Sequence, residues 1–402
     1  MSHPSAPAAS AGLLKGRMLA FAAIILVSAN LRSAVTSLTP LLDRLGHLFD
    51  FGSTMTGVLG MMPAAAFALS GLVTPRLAGR IGLERTAALT MLLATAGLLL
   101  RAAAGNIGML LLGSAVALAG MGIGNVVVPP LVKRYFGDRV GTLSTLYITV
   151  LQACTMIPAL LAVPVADRFD WRASLGMWAL LSLAALLPWL LLARRAPPQD
   201  NAGAAAAQAP GRAWKTPLGW GMALMFGMTS LGTYSMFTWL PRIMVEAGAG
   251  EAFGGAMLAL YSAIGIVPSL LVPALAVRMR NPFPIAALVF VLNALAFAGL
   301  LWAPMRAPWL WAIVAGLGPS TFPLGLTLIN LRTRTPAGSA ALSGFMQGVG
   351  YSLACLGPLL FGWLHGIAGG WAWSFAFLMS CSFVLLGAAW FACKPQQLED
   401  HW

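Results

Sequence analysis

Acid is what this chain has least of. Its 402 residues include 11 Asp and Glu and four His against 24 Lys and Arg, and charged residues of both signs make up only 9%. Soluble domains run near a quarter charged, so a water-exposed globular fold is excluded. The acids, Asp43 and Glu84 among them, fall in loops, tails or the ends of apolar segments. No carboxylate or histidine is therefore placed at depth to act as general acid, base or proton carrier, which leaves an intramembrane enzyme without its machinery. The four cysteines, Cys154, Cys355, Cys381 and Cys393, share no ligand spacing and read as small hydrophobes, so neither metal nor cofactor is expected.

Apolar sequence is what the chain has instead. Hydrophobic residues reach 59% and the mean hydropathy is +0.83, values of an integral membrane protein. Windows of about 20 residues, the length that crosses the hydrocarbon core, give twelve spans near 18–41, 54–75, 86–104, 107–131, 141–166, 173–193, 217–241, 253–277, 283–303, 308–331, 339–364 and 372–393. This predicts an all-α fold with a disordered N-terminus over 1–16, a six-helix half over 17–195, an Ala- and Pro-rich linker over 196–216, a second half over 217–394 and a tail over 395–402. Lys15, Arg17 and the apolar run after them also have the shape of a signal peptide. Cleavage there would leave an odd number of spans, which argues against it.

Charge orients the spans. Loops on the side of the termini hold most of the basic residues, among them Lys15, Arg17, Arg76, Arg80, Lys133 and Arg134, whereas the other side holds Arg44, Arg101, Arg168, Arg172, Arg242 and Arg306. That skew places both termini in the cytoplasm and accounts for the net charge of +13 as topology, with no call on nucleic acid. A multi-pass protein of the cell membrane, a bacterial inner membrane, is expected, with lipid around it and a monomeric state.

The halves also repeat at an offset of about 200 residues. Pro75-Arg76-Leu77-Ala78-Gly79-Arg80 answers to Pro273-Ala274-Leu275-Ala276-Val277-Arg278, GIGNVVVP (122–129) to GLGPSTFP (316–323), and Pro158, Trp171 and Ser174 to Pro358, Trp371 and Ser374. Six is an even number of spans, so the halves are related by an axis along the membrane normal, with a cavity between them.

The first span carries the one charge near the middle of an apolar segment, Arg32. A guanidinium there costs about 2.5–3.5 kcal/mol on insertion scales and must face protein or an aqueous cavity. Ser28, Arg32, Thr36 and Thr39 fall on one helical stripe and Asn30, Ser33 and Ser37 on a second, so neither stripe can face lipid. Elsewhere, Asn125 is either helix-to-helix glue or a solute contact, and the amide of Gln347 lies between Gly344 and Gly348, where close helix approach competes with a site role.

With NLRSAVTSLTPLL (30–42), GIGNVVVPPLVKRYF (122–136), GLGPSTFPLGL (316–326) and FMQGVGY (345–351), the chain resembles the major facilitator superfamily and, within it, the cyanate and 2-nitroimidazole transporter family. The resemblance runs from about residue 15 to 393, and Asn125 with Lys133-Arg134 looks closer to the nitroimidazole branch. It implies transport of a small anion or electron-rich heterocycle by alternating access around Arg32, with Asn30, Thr36, Asn125 and Gln347 completing the site. Tyr147, Gln152, Tyr234, Trp239 and Tyr351 lie in spans that usually line the cavity of this superfamily, with packing as their competing role. Arg76, Arg80 and Arg278 in the loops after the second and eighth spans are expected to gate alternation. Two residues depart from the pattern: Gly79 stands where that loop usually carries Asp, and Ser33 where Pro often follows the NLR triplet. A drug or solute exporter of the same fold and a non-transporting membrane sensor are the alternative readings.

Overall fold

The structure is a computed structural model that describes residues 17–195 and 213–401. The expected termini over 1–16 and most of the linker, 196–212, lie outside the described residues, as does Trp402. Among the described residues the regular structure is helical throughout. Twelve rods run antiparallel in sequence: α1 (Met18–Phe49), α2 (Ser53–Ile81), α3 (Leu83–Ala102), α4 (Ile107–Tyr135), α5 (Val140–Arg168), α6 (Trp171–Arg195), α7 (Pro217–Glu246), α8 (Glu251–Arg278), α9 (Phe283–Trp302), α10 (Pro308–Leu331), α11 (Pro336–Ala354 continuing as Leu356–Ala368) and α12 (Ala372–Cys393). Eleven are long and apolar enough to cross a membrane. The other, α7, interleaves Gly, Thr, Ser and Tyr with its apolar residues, and most of it is buried inside the bundle rather than turned to lipid.

Rods α1–α6 pack as one half and α7–α12 as the other, meeting along two equivalent seams, α5 with α8 and α2 with α11. The repeat is visible down to single bonds. Ser174 at the start of α6 donates to Ala162 O of α5 at 2.7 Å, and Ser374 at the start of α12 donates to Phe361 O of α11 at 2.7 Å. The glycines of 120–124 are close-approach points: a Cβ at Gly120 would lie 2.7 Å from Thr90 O of α3, and one at Gly124 would strike Leu31 of α1 at 2.6 Å.

One expectation needs correction. The stretch Pro75 to Arg80 is not a loop but the last turns of α2, and Arg278 ends α8, because Pro75 and Pro273 kink these helices without ending them. Five rods are interrupted, α1 most of all; α8 breaks at Gly265 and α10 at Gly318–Ser320, where Pro319 stands. The tail packs on the second half: Leu398 is fully buried, its N–H bonds Arg332 O at 2.8 Å, and Glu399 Oε1 accepts from the N–H groups of Arg334 and Thr335 and from the Thr335 hydroxyl. Arg101, within the expected third span, stands in the last turn of α3. It is fully buried.

Candidate functional site

The site begins with the break in α1. Ser28 donates to Ile24 O (2.7 Å), Ser33 to Asn30 O (3.0 Å), Thr36 to Arg32 O (3.3 Å) and Thr39 to Val35 O (3.1 Å). Hydroxyls bonded back to carbonyls of the preceding turn compete with the helical ladder and bend it, and Pro40 removes a further donor. The regular helix stops at Asn30, Arg32 departs from helical geometry at φ −125° and ψ −5°, and a 3₁₀ turn over Thr39–Leu41 leads into the last segment. The density of Ser and Thr in 28–39 thus sets Arg32 at a discontinuity midway along α1.

From there the guanidinium crosses to the other half. Its Nη1 donates to the phenolic oxygen of Tyr234 on α7 at 2.9 Å, and its carbon sits 4.9 Å from the ring centre of Phe67 on α2, a cation–π distance. Tyr351 of α11 meets Phe67 edge-on at 6.4 Å between centroids and Phe226 of α7 at 5.2 Å. Arg32 has no acidic partner among the described residues. The result is a half-buried cation, most of its donor fork without a partner among the described residues, set between Phe67 of its own half and Tyr234 of the other, with Tyr351 against Phe67.

The other expected residues divide. Asn30 is fully buried behind the site, its Oδ1 taken by Ser33 at 2.7 Å and its amide nitrogen unpartnered. Thr36 is likewise fully buried, its hydroxyl bonded to Arg32 O. Asn125 and Gln347 are half-buried and bond within their own helices, to Met121 O at 3.1 Å and Ser343 Oγ at 2.8 Å. Open space surrounds Gly344 and Gly348, so close helix approach does not explain that segment. Tyr147 packs on the core of the first half, and the Gln152 amide lies across the α5–α8 seam from Gly265. Trp239 is not part of the cluster: it is fully buried, with its indole N–H on Pro358 O at 2.9 Å. Phe67 and Phe226 were missed, because a phenylalanine in an apolar span gives no signal of its own.

The two faces of the bundle differ. At the face remote from the chain ends, ion pairs cross between halves: Arg44 of α1 reaches Glu251 of α8 at 2.7 Å as well as Asp167 at 2.6 Å, and Asp43 meets Arg242 of α7 at 3.4 Å. Arg242 also holds Glu246, which bonds His365 at 3.2 Å. At the face of the chain ends the ion pairs among the described residues stay within one half: Arg17 with Asp138, Glu84 with Arg134 at 3.2 Å, and Arg334 with Asp400 at 2.6 Å. Arg76, Arg80 and Arg278 join none of them among the described residues. The hydrogen bond from Arg17 holds the Asp138 carboxyl below its usual range. At Glu399, burial opposes ionisation, yet the N–H groups of Arg334 and Thr335 outweigh it and keep that carboxyl below its usual range too.

Two pseudo-equivalent six-helix halves, sealed against each other at one face and holding between them a half-buried cation with no counterion among the described residues, define a polytopic membrane transporter. The chain belongs to the major facilitator superfamily, whose family model matches residues 20–355. It is 34% identical to the 2-nitroimidazole transporter of Escherichia coli (strain K12) over 89% of this chain and 91% of that one. It is 30% identical to the cyanate transport protein CynX of the same organism, over 89% and 93%. Among solved structures, the fold matches a bacterial homologue of the human lysosomal transporter Spinster with a TM-score of 0.72, covering 95% of each chain at 13% identity. It also matches a D-xylose–proton symporter with a TM-score of 0.67, covering 94% of this chain and 98% of that one at 14% identity.

Proposed function

We propose that the protein moves a small anion or an electron-rich heterocycle, of the size of cyanate or a nitroimidazole, by rocking its two halves about Arg32. The observation that carries this reading is the guanidinium itself, half-buried, without a carboxylate among the described residues and held by a neutral phenol across the junction. A cation left with free donors beside Phe67 and Tyr234 suits a transient anionic guest. The relatives named for nitroimidazole and cyanate support the same class of solute. Asn125, Gln347, Gln152, Tyr147 and Tyr351 then serve as rotatable polar groups around the cavity, while Asn30 and Thr36 hold the shape of the break.

In this reading both termini are cytoplasmic, the sealed face is external, and the conformation is open inward. Release must be easy, so an affinity of about 4–8 kcal/mol, millimolar to micromolar, is sufficient. Asp43 is held in an ion pair by Arg242, so the solute equilibrates, exchanges or carries its own proton. Counterflow of labelled cyanate and labelled 2-nitroimidazole in proteoliposomes tests this. Exchange that is lost in a folded Arg32→Ala protein supports the reading, and undiminished solute binding by that variant sinks it. Binding without exchange in the wild type would favour a sensor.

A further inference from the structure

Among the described residues the most deeply buried cation is not Arg32 but Arg101, close to the remote end of α3. Its side chain is 0% exposed, and no carboxylate pairs with it among the described residues. Nη1 donates to Ala34 O at 2.7 Å, two residues beyond Arg32 in the interrupted part of α1, while Nε and Nη2 have no partner. Desolvating a guanidinium costs several kcal/mol, and one carbonyl does not offset that. If steadying the broken helix were the whole task, a neutral donor would do it without that cost.

The surroundings point to a guest. Arg101 lines a cavity of about 10 Å³, room for a single water, on the sealed side of Arg32. The cavity lies at the junction of the halves: Thr39 and Pro63 contribute from one, Tyr234, Phe237 and Thr238 of α7 from the other. Tyr234 is thus both the partner of Arg32 and a wall of the Arg101 cavity. Any swing of α7 away from α1 uncovers both guanidiniums together, and the space beside Arg101 widens from a water to a vestibule.

We infer that Arg101 is a second anion-binding position, a loading site used when the now-sealed face opens, which takes the solute through Nε and Nη2 and passes it inward to Arg32. The ligand class is a small monovalent anion with two acceptor atoms, the geometry that a guanidinium edge grips in bidentate fashion. This rests on the reading of Arg32 as the anion ligand, and the test separates the two.

Full-length protein in nanodiscs is treated with phenylglyoxal, which modifies accessible guanidiniums, and modification of Arg32 and Arg101 is followed separately by mass spectrometry. The backgrounds are the wild type, an Arg44→Glu variant that loosens the remote face, and Arg44→Glu combined with Arg32→Gln. Sodium cyanate, sodium nitrate and sodium formate serve as the probe anions. Arg101 is expected to react at least about tenfold faster in Arg44→Glu than in the wild type, and to be protected by at least one anion even where Arg32 is absent. No reaction at Arg101 while Arg32 reacts would make it a buried strut and overturn the proposal, as would reaction that no anion slows. Failure of anions to protect Arg32 in the wild type, with Arg101 protected, would instead overturn the reading of Arg32 alone. Because wild-type Arg101 is the reporter, the test does not depend on an Arg101 variant folding. Where Arg101→Gln does fold, its half-saturating solute concentration should rise about tenfold from the remote face and stay nearly unchanged from the other.

Discussion

Arg32 on α1 donates to the hydroxyl of Tyr234 on α7 at 2.9 Å, so the cation of one half is held by the other. A solute that takes this donor must displace the phenol, and binding is thereby linked to separation of the halves. Tyr234→Phe removes the competitor, and a hydrogen bond to a charged group is worth about 1.5–3 kcal/mol. Solute affinity measured by thermal shift should tighten about tenfold while counterflow slows. Arg32→Lys should recover little transport, because a point charge replaces a planar fork.

The remote face should open when its ion pairs are reversed. Arg44 and Glu251 are each about one-third exposed, at 32% and 28%, so one such pair contributes only about 0.2–1 kcal/mol. Turning attraction into repulsion doubles the effect, enough to shift a two-state balance by about tenfold. The expected outcome is faster maleimide labelling of a Thr39→Cys probe in Arg44→Glu, reversed when Glu251→Arg is added.

Glycine size at the seams should matter more than charge. A Cβ at Gly57 would stand 2.9 Å from Pro358 O, and one at Gly255 would stand 2.8 Å from Ala159 O, both across the junction of the halves. Backbone cannot yield as a side chain can, so Gly57→Leu or Gly255→Leu should keep the remote face from closing and abolish exchange while the protein still inserts. Gly344→Ala, with nothing nearby, is the control and should exchange normally.

The repeat predicts equal losses at equivalent serines. Ser174→Ala and Ser374→Ala each delete one 2.7 Å bond to a buried carbonyl. Each should lower stability by about 0.6–1.5 kcal/mol, nearly the same at both, as read from unfolding in detergent.

Acid should release the tail. Glu399 ionises more readily in the folded protein than its usual value near 4.5, so its contribution is present above that value and fades as pH falls below it. Protection of residues 398–401 against hydrogen exchange, relative to the intrinsic rate at each pH, should therefore fall between about pH 5 and 3, whereas Glu399→Gln should show low protection throughout that range.

Much of this architecture was legible before any coordinates, because a twenty-residue apolar period, a basic skew and an internal repeat are local or additive signals. Arg32 stood out for the same reason, as a charge in the middle of a hydrophobic run. Arg101 did not, since an arginine at the end of a span is ordinarily free to reach the interface; its acceptor, Ala34 O, lies 67 residues earlier. The ion pair of Arg44 with Glu251 is likewise a fact of how the halves meet, at a separation of 207 residues. Trp239 misled in the other direction, because an indole in a cavity-lining helix and one packed in a core have the same sequence signature.

Ser174 and Ser374 make the same bond in the two halves, yet Arg32 belongs to one half alone and meets Phe67 of its own half and Tyr234 of the other. Duplication supplied two like walls, and divergence gave them different work. In the proposed reading Arg32 selects for charge and is the same for any anion. Discrimination among anions would then fall to the aromatic groups beside it, so a change of solute would be written at Phe67, Tyr234 and Tyr351 and leave the arginine untouched.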